Sequence, residues 1–168
     1  MSGAAIGAMV GAGFGGLWAV AGSLGLRGRA RMPAIVLSLA VTAGLVAAAA
    51  LAPGRSGGSG TFDGTVYGIA VAAESIAIAA AAALLRQRRD LLLPAVGFIV
   101  GLHFIGLWKA TALTLFLAVA GGMCAVSLGS LLLRQRGSAG FAPRQAAAGL
   151  GCAIVLWASA AIGTFGPL

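Results

Sequence analysis

Residues 61–111 read TFDGTVYGIAVAAESIAIAAAAALLRQRRDLLLPAVGFIVGLHFIGLWKAT. Two apolar runs flank the basic cluster Arg86, Arg88 and Arg89, and each carries one ionisable residue near its middle: Glu74 in the first, His103 in the second. Each run has close to the ~20 residues an α-helix needs to cross the hydrocarbon core of a bilayer. The centre of the cluster falls between Arg88 and Arg89, and Glu74 and His103 are equally far from it along the chain. If the two runs are antiparallel membrane helices, Glu74 and His103 lie at one depth.

Composition extends this reading to the whole chain. It has 168 residues, of which 60% are hydrophobic and 8% charged, with a mean hydropathy of +1.05. A soluble domain carries about 25% charged residues, so this chain cannot cover a water-facing surface and the bilayer must be its solvent. The net charge of +8 does not point to nucleic acid, because the arginines sit in short clusters between apolar runs, as topology signals do. Anionic lipid headgroups are their expected partners. Twenty-eight glycines, more than twice the usual share of about 7%, point to close helix packing.

Six apolar runs follow one another: residues 4–26, 33–52, 64–85, 91–108, 110–133 and 145–165. The N-terminus has no basic n-region, so the first run reads as a retained helix rather than a cleaved signal. Arg27, Arg29 and Arg31 follow the first run, Arg86, Arg88 and Arg89 the third, and Arg134, Arg136 and Arg144 the fifth; only Arg55 and Lys109 fall on the other side. Basic residues favour the cytoplasmic face. The expectation is one all-α membrane domain of six transmembrane helices in three hairpins, both termini outside, in a bacterial inner membrane. The least marked turn lies between the fourth and fifth runs, where WKATALT has neither Gly nor Pro. A break near Lys109 is still required, because residues 91–133 as one helix would be about 64 Å long.

Each basic loop also carries Arg-x-Arg followed by a proline, in RGRARMP, RQRRDLLLP and RQRGSAGFAP. Such a proline opens a helix without losing an intrahelical hydrogen bond. The intervals between Arg27, Arg86 and Arg134 are 59 and 48 residues, so any repeat is irregular.

Few side chains here have chemistry to offer. Glu74 lies about 17 Å from either end of its helix. At such a depth an unpaired charge costs roughly 2.5–3.5 kcal/mol on insertion scales, so Glu74 needs a proton or a partner. His103 is the only histidine, and paired with Glu74 it would let the two share one proton as a coupled unit. Tyr67, seven residues before Glu74, is on the same face and either continues a polar path outward or belongs to the interfacial aromatic belt. Lys109 either snorkels to the outer headgroups or, if buried, competes with His103 as counter-charge to Glu74. Ser75 has the option of bonding back to its own helix.

Cys124 and Cys152 reach a similar depth and are of a type that binds soft metals. Their spacing with Glu74 and His103 matches no metal motif, cysteine is also a common apolar filler, and no cofactor is implied. Gly3, Gly7, Gly11 and Gly15 follow one another at four-residue spacing, the small-xxx-small pattern that lets a second helix approach closely. No phosphate loop, paired metal-ligand motif or Ser-His-Asp set is present, so an enzyme is not expected. The leading expectation is a small transporter or channel for a solute or ion, proton-linked through Glu74 and His103. The alternative is a membrane subunit or assembly factor that docks on itself or a partner through the glycines of the first helix. An intramembrane lipid, quinone or metal binder is a third.

Overall fold

The computed structural model describes residues 3–52, 62–134 and 142–166. Arg55 and Arg136, used above in placing the charge, lie outside the described residues. Six α-helices and no strand occur among those described: α1 (Gly3–Ser23), α2 (Gly28–Leu51), α3 (Gly64–Leu84), α4 (Arg89–Thr111), α5 (Leu115–Leu131) and α6 (Pro143–Phe165). Five are long and apolar enough to cross a bilayer, and α5 is a shorter apolar helix of 17 residues. The chain is an integral membrane protein.

Three boundaries differ from expectation, each for a local reason. The helix α2 starts at Gly28 and α4 at Arg89, so Pro33 and Pro94 lie inside their helices and only Pro143 opens one. The first turns of α2 and α4 are therefore built from residues of the arginine clusters. Each internal proline leaves the carbonyl four residues earlier without a backbone donor. The third difference is the turn before α5. The helix α4 continues past Lys109 to Thr111 and stops at Ala112, whose φ of 58° is left-handed. Thr111 Oγ1 donates to Leu107 O at 2.7 Å and accepts from Leu113 N at 3.3 Å. A left-handed alanine does here what glycine commonly does, which is why the turn carries no residue signal. Starting at Leu115, α5 is about 25 Å long, shorter than the expected 110–133.

The helices α1, α4, α5 and α6 form the packed centre, with Trp18, Ala19, Val119, Met123, Cys152, Ala153 and Leu156 buried together. The most extensive interface is between α1 and α6, which run antiparallel with Gly11 opposite Ala160, Gly15 opposite Trp157 and Gly22 opposite Gly149. At the last pair, backbone touches backbone. Outside this centre, α2 packs on α1 and touches α6, while α3 packs on α4 alone among the described helices. Leu17, Leu37, Ile69, Ile76 and Ile154 all stand exposed on the outer surface, as side chains solvated by lipid do.

The basic turns meet at one end of the bundle. Ala142 N donates to Gly25 O at 2.8 Å, and Arg144 reaches both Asp90 Oδ2 at 3.1 Å and Leu133 O at 3.0 Å. Arg31 donates to Leu24 O at 3.1 Å, supplying a carbonyl near the end of α1. At the opposite end, Asp63 caps α3 by accepting from Thr65 N and Val66 N at 2.9 and 3.1 Å.

Candidate functional site

The register between α3 and α4 sets the site. Asp63 N donates to Ala110 O at 2.9 Å, and deeper in the bundle Ala70 packs on Gly106. A Cβ added to Gly106 would stand 2.6 Å from that of Ala70, so glycine is what lets the helices touch there. The next level inward brings Glu74 opposite His103, with Glu74 Oε2 at 3.2 Å from His103 Nδ1. The side chains are 19% and 9% exposed. The equal depth read from the arginine cluster corresponds to direct contact.

The contact is close but poorly directed. His103 Nδ1 is buried and has no aligned hydrogen bond, although an aligned bond at this separation would be ordinary. Two proton distributions suit the pair: a carboxylic acid beside neutral imidazole, or a carboxylate beside imidazolium. Both place one proton on two groups, and moving between them needs only a small shift of the proton and side chains. Tyr67 meets His103 edge to face, with ring centroids 6.1 Å apart and planes at 69°. Phe62 packs in turn on Tyr67 at 5.5 Å. The aromatic column Phe62–Tyr67–His103 therefore runs from the capped end of α3 down to Glu74.

The remaining candidates are elsewhere. Lys109 is exposed near the end of α4, so His103 and not Lys109 stands against Glu74. Ser75 donates to Val71 O at 2.8 Å. The cysteines are on the other side of α4: Cys124 Sγ lies 3.8 Å from Phe98 O and faces Gly101, and Cys152 Sγ lies 3.8 Å from Ser127 Oγ and faces Gly97. At about 100° per residue, Gly97 and Gly101 are about 120–160° round the helix from His103. The four groups thus form two separate sets. Among the described residues no three His, Cys, Asp or Glu side chains gather as a metal site.

Of the α1 glycines, Gly3 is the first helical residue and Gly7 has nothing within 4 Å of where a Cβ would stand. Gly11 is in ordinary contact with Ala160 at 3.8 Å, and Gly15 lies under the Trp157 ring. The close crossing at Gly22 and Gly149 lies beyond that series. Sequence reading also misses the Asp90–Arg144 pair, which joins the first turns of α4 and α6; its one signal is opposite charge beside two helix starts.

A pair of titratable side chains on a two-helix edge, with aromatic rings on one side, can hold one proton between them. Comparison with known proteins adds no assignment: no family model, curated protein or solved structure matches the chain.

Proposed function

We propose that the chain is a small multi-pass transporter or channel for a solute or ion, linked to protons through Glu74 and His103. The observation that carries this reading is the 3.2 Å contact between two titratable side chains midway along apolar helices. Ionisable groups at such depth are costly and commonly mark ion pathways and proton relays. The location of α3 adds to it. Because α3 packs on α4 alone among the described helices, a change in the charge of the pair acts on the one interface that holds it.

In this reading the pair α3–α4 is the middle of three hairpins. The arginine-rich end faces the cytoplasm of a bacterial inner membrane, by the positive-inside rule, and its guanidinium groups lie among anionic headgroups. Both termini are then on the outer side. The alternative of a docking subunit has less support from α1, since Gly11 and Gly15 face α6.

The test is proton uptake by proteoliposomes under an imposed potassium diffusion potential, read with a trapped pH dye. Glu74→Gln and His103→Ala should each lower uptake about tenfold or more. Uptake that is the same in wild type and both variants would remove the pair from the function.

A further inference from the structure

The polar groups around Glu74 are distributed on one side only. Towards the arginine-rich end, α3 and its cap from Ile76 to Leu85 have ten residues without a polar side chain, a length of about 15 Å. Ser75 bonds to its own helix through Val71 O, and α4 from Leu91 to Leu102 has no polar side chain at all. Towards the opposite end, Tyr67 stands two turns above Glu74 on the same face, with its ring against His103, and Asp63 caps the helix four residues further on. Thr65 points to the far side of α3 by helical phase, and Thr111 bonds to Leu107 O. On α4, Trp108 and Lys109 are about 140° and 120° round the helix from His103, so among the described residues of α3 and α4 Tyr67 is the one protic side chain between the pair and that end that is neither turned away nor bonded to its helix. It is also 37% exposed, so it meets the surroundings as well as the pair.

Among the described residues no other charged group faces the pair. The helix α3 contributes Glu74 and Tyr67, and α4 contributes His103. From α5 and α6, Cys124 and Cys152 face the opposite side of α4. Asp90 and Arg144 pair with each other at the arginine-rich end, and Lys109 is exposed near the other.

We propose that Glu74 and His103 exchange their proton with the Asp63–Lys109 side of the membrane only, through the Tyr67 hydroxyl, and are sealed from the arginine-rich side. The inference rests on the proton-linked reading above and assigns the side of access and its relay residue. The step is a proton transfer alone. A hydronium ion at the α3 cap gives a proton to the phenol oxygen and becomes water as the phenol passes its own proton to the pair; release runs in reverse, with water as the acceptor.

The chain suits a direct test. It has three acidic residues and one lysine, so the infrared carbonyl band of protonated Glu74 is identified by its loss in Glu74→Gln. An impermeant amine reagent on Lys109, located by mass spectrometry, reports which way each proteoliposome preparation faces. With the lumen strongly buffered, the external pH is stepped over about pH 4 to 9, and the band is followed in preparations of opposite orientation. The expected result is a band that follows external pH about tenfold faster or more when Lys109 faces out. Tyr67→Phe, which keeps the ring but removes the hydroxyl, should slow that response about tenfold or more without changing its end point. A band that follows either side equally, or the arginine-rich side faster, would overturn the sidedness and leave the proton-linked reading standing. An unchanged rate in Tyr67→Phe would overturn the relay. No titrating Glu74 band at any pH would overturn both the reading and the inference.

Discussion

Gly149→Ala should destabilise the bundle sharply, by an amount the α1–α6 crossing allows to be worked out. A Cβ on Gly149 would fall on the backbone of Gly22 and come within 2.9 Å of Trp18 O. Backbone atoms cannot rotate aside as a side chain can. Ordinary contact needs a few tenths of an ångström to an ångström more room, and a gap of that size along the rest of the interface forfeits a quarter to a half of each contact's attraction. Overpacking of this kind costs about 1–3 kcal/mol, and backbone on both sides argues for the upper end. Better helix propensity returns about 1 kcal/mol, leaving a net loss of about 2 kcal/mol. That changes the unfolding equilibrium by a factor of about 30. Gly7→Ala is the control, because nothing lies within 4 Å of its Cβ position; it should be neutral or stabilising by up to about 1 kcal/mol. Reversible unfolding in mixed micelles, followed through tryptophan fluorescence, measures both. Trp18 is buried in this core and Trp157 lies over Gly15. Equal stability of the two variants would refute the backbone contact between α1 and α6.

Two further outcomes follow from local geometry. Ala112→Gly should stabilise the protein by about 1 kcal/mol, since Ala112 holds φ at 58°, a conformation that disfavours any Cβ; an unchanged or lowered melting temperature would count against that turn. At the arginine-rich end, Asp90→Asn should cost no more than about 1 kcal/mol, as partly exposed pairs do. Arg144→Ala should cost about 0.5–1.5 kcal/mol more, because it also removes the donor to Leu133 O. Equal losses in the two variants would assign the effect to the ion pair alone.

Part of the site is legible in the residues themselves. Glu74 and His103 stand out because charge inside hydrocarbon is expensive, so residue type and depth are enough to mark them. Their equal depth follows from a single assumption, an antiparallel hairpin folded about its arginine turn, whereas their contact also depends on how each helix is rotated, which the tertiary structure supplies. Tyr67 has two possible roles on sequence grounds, because helical phase gives the face but not the neighbour; the ring contact with His103 needs α4 in position. Cys124 and Cys152 show the limit of reasoning from depth. Depth alone puts them level with the pair, whereas rotation about α4 puts them on its far side.

What the sequence alone determined is the solvent and the helix count. With 60% hydrophobic residues against 8% charged, only a bilayer can surround the chain, and there every backbone group must be satisfied within a helix. Arginine placement further marked which turns share an end. The tertiary structure alone decided which helix lies beside which, because the helices are apolar nearly all round and no polar–apolar stripe tells a buried side from one in lipid. Close packing of small residues makes that choice instead, and it depends on shape: Gly22 meets Gly149 and Gly106 meets Ala70, while Gly7, of the same residue type, meets nothing within 4 Å. For the same reason Glu74 and His103 lie at the bundle's edge, between α4 and a helix that no other described helix holds.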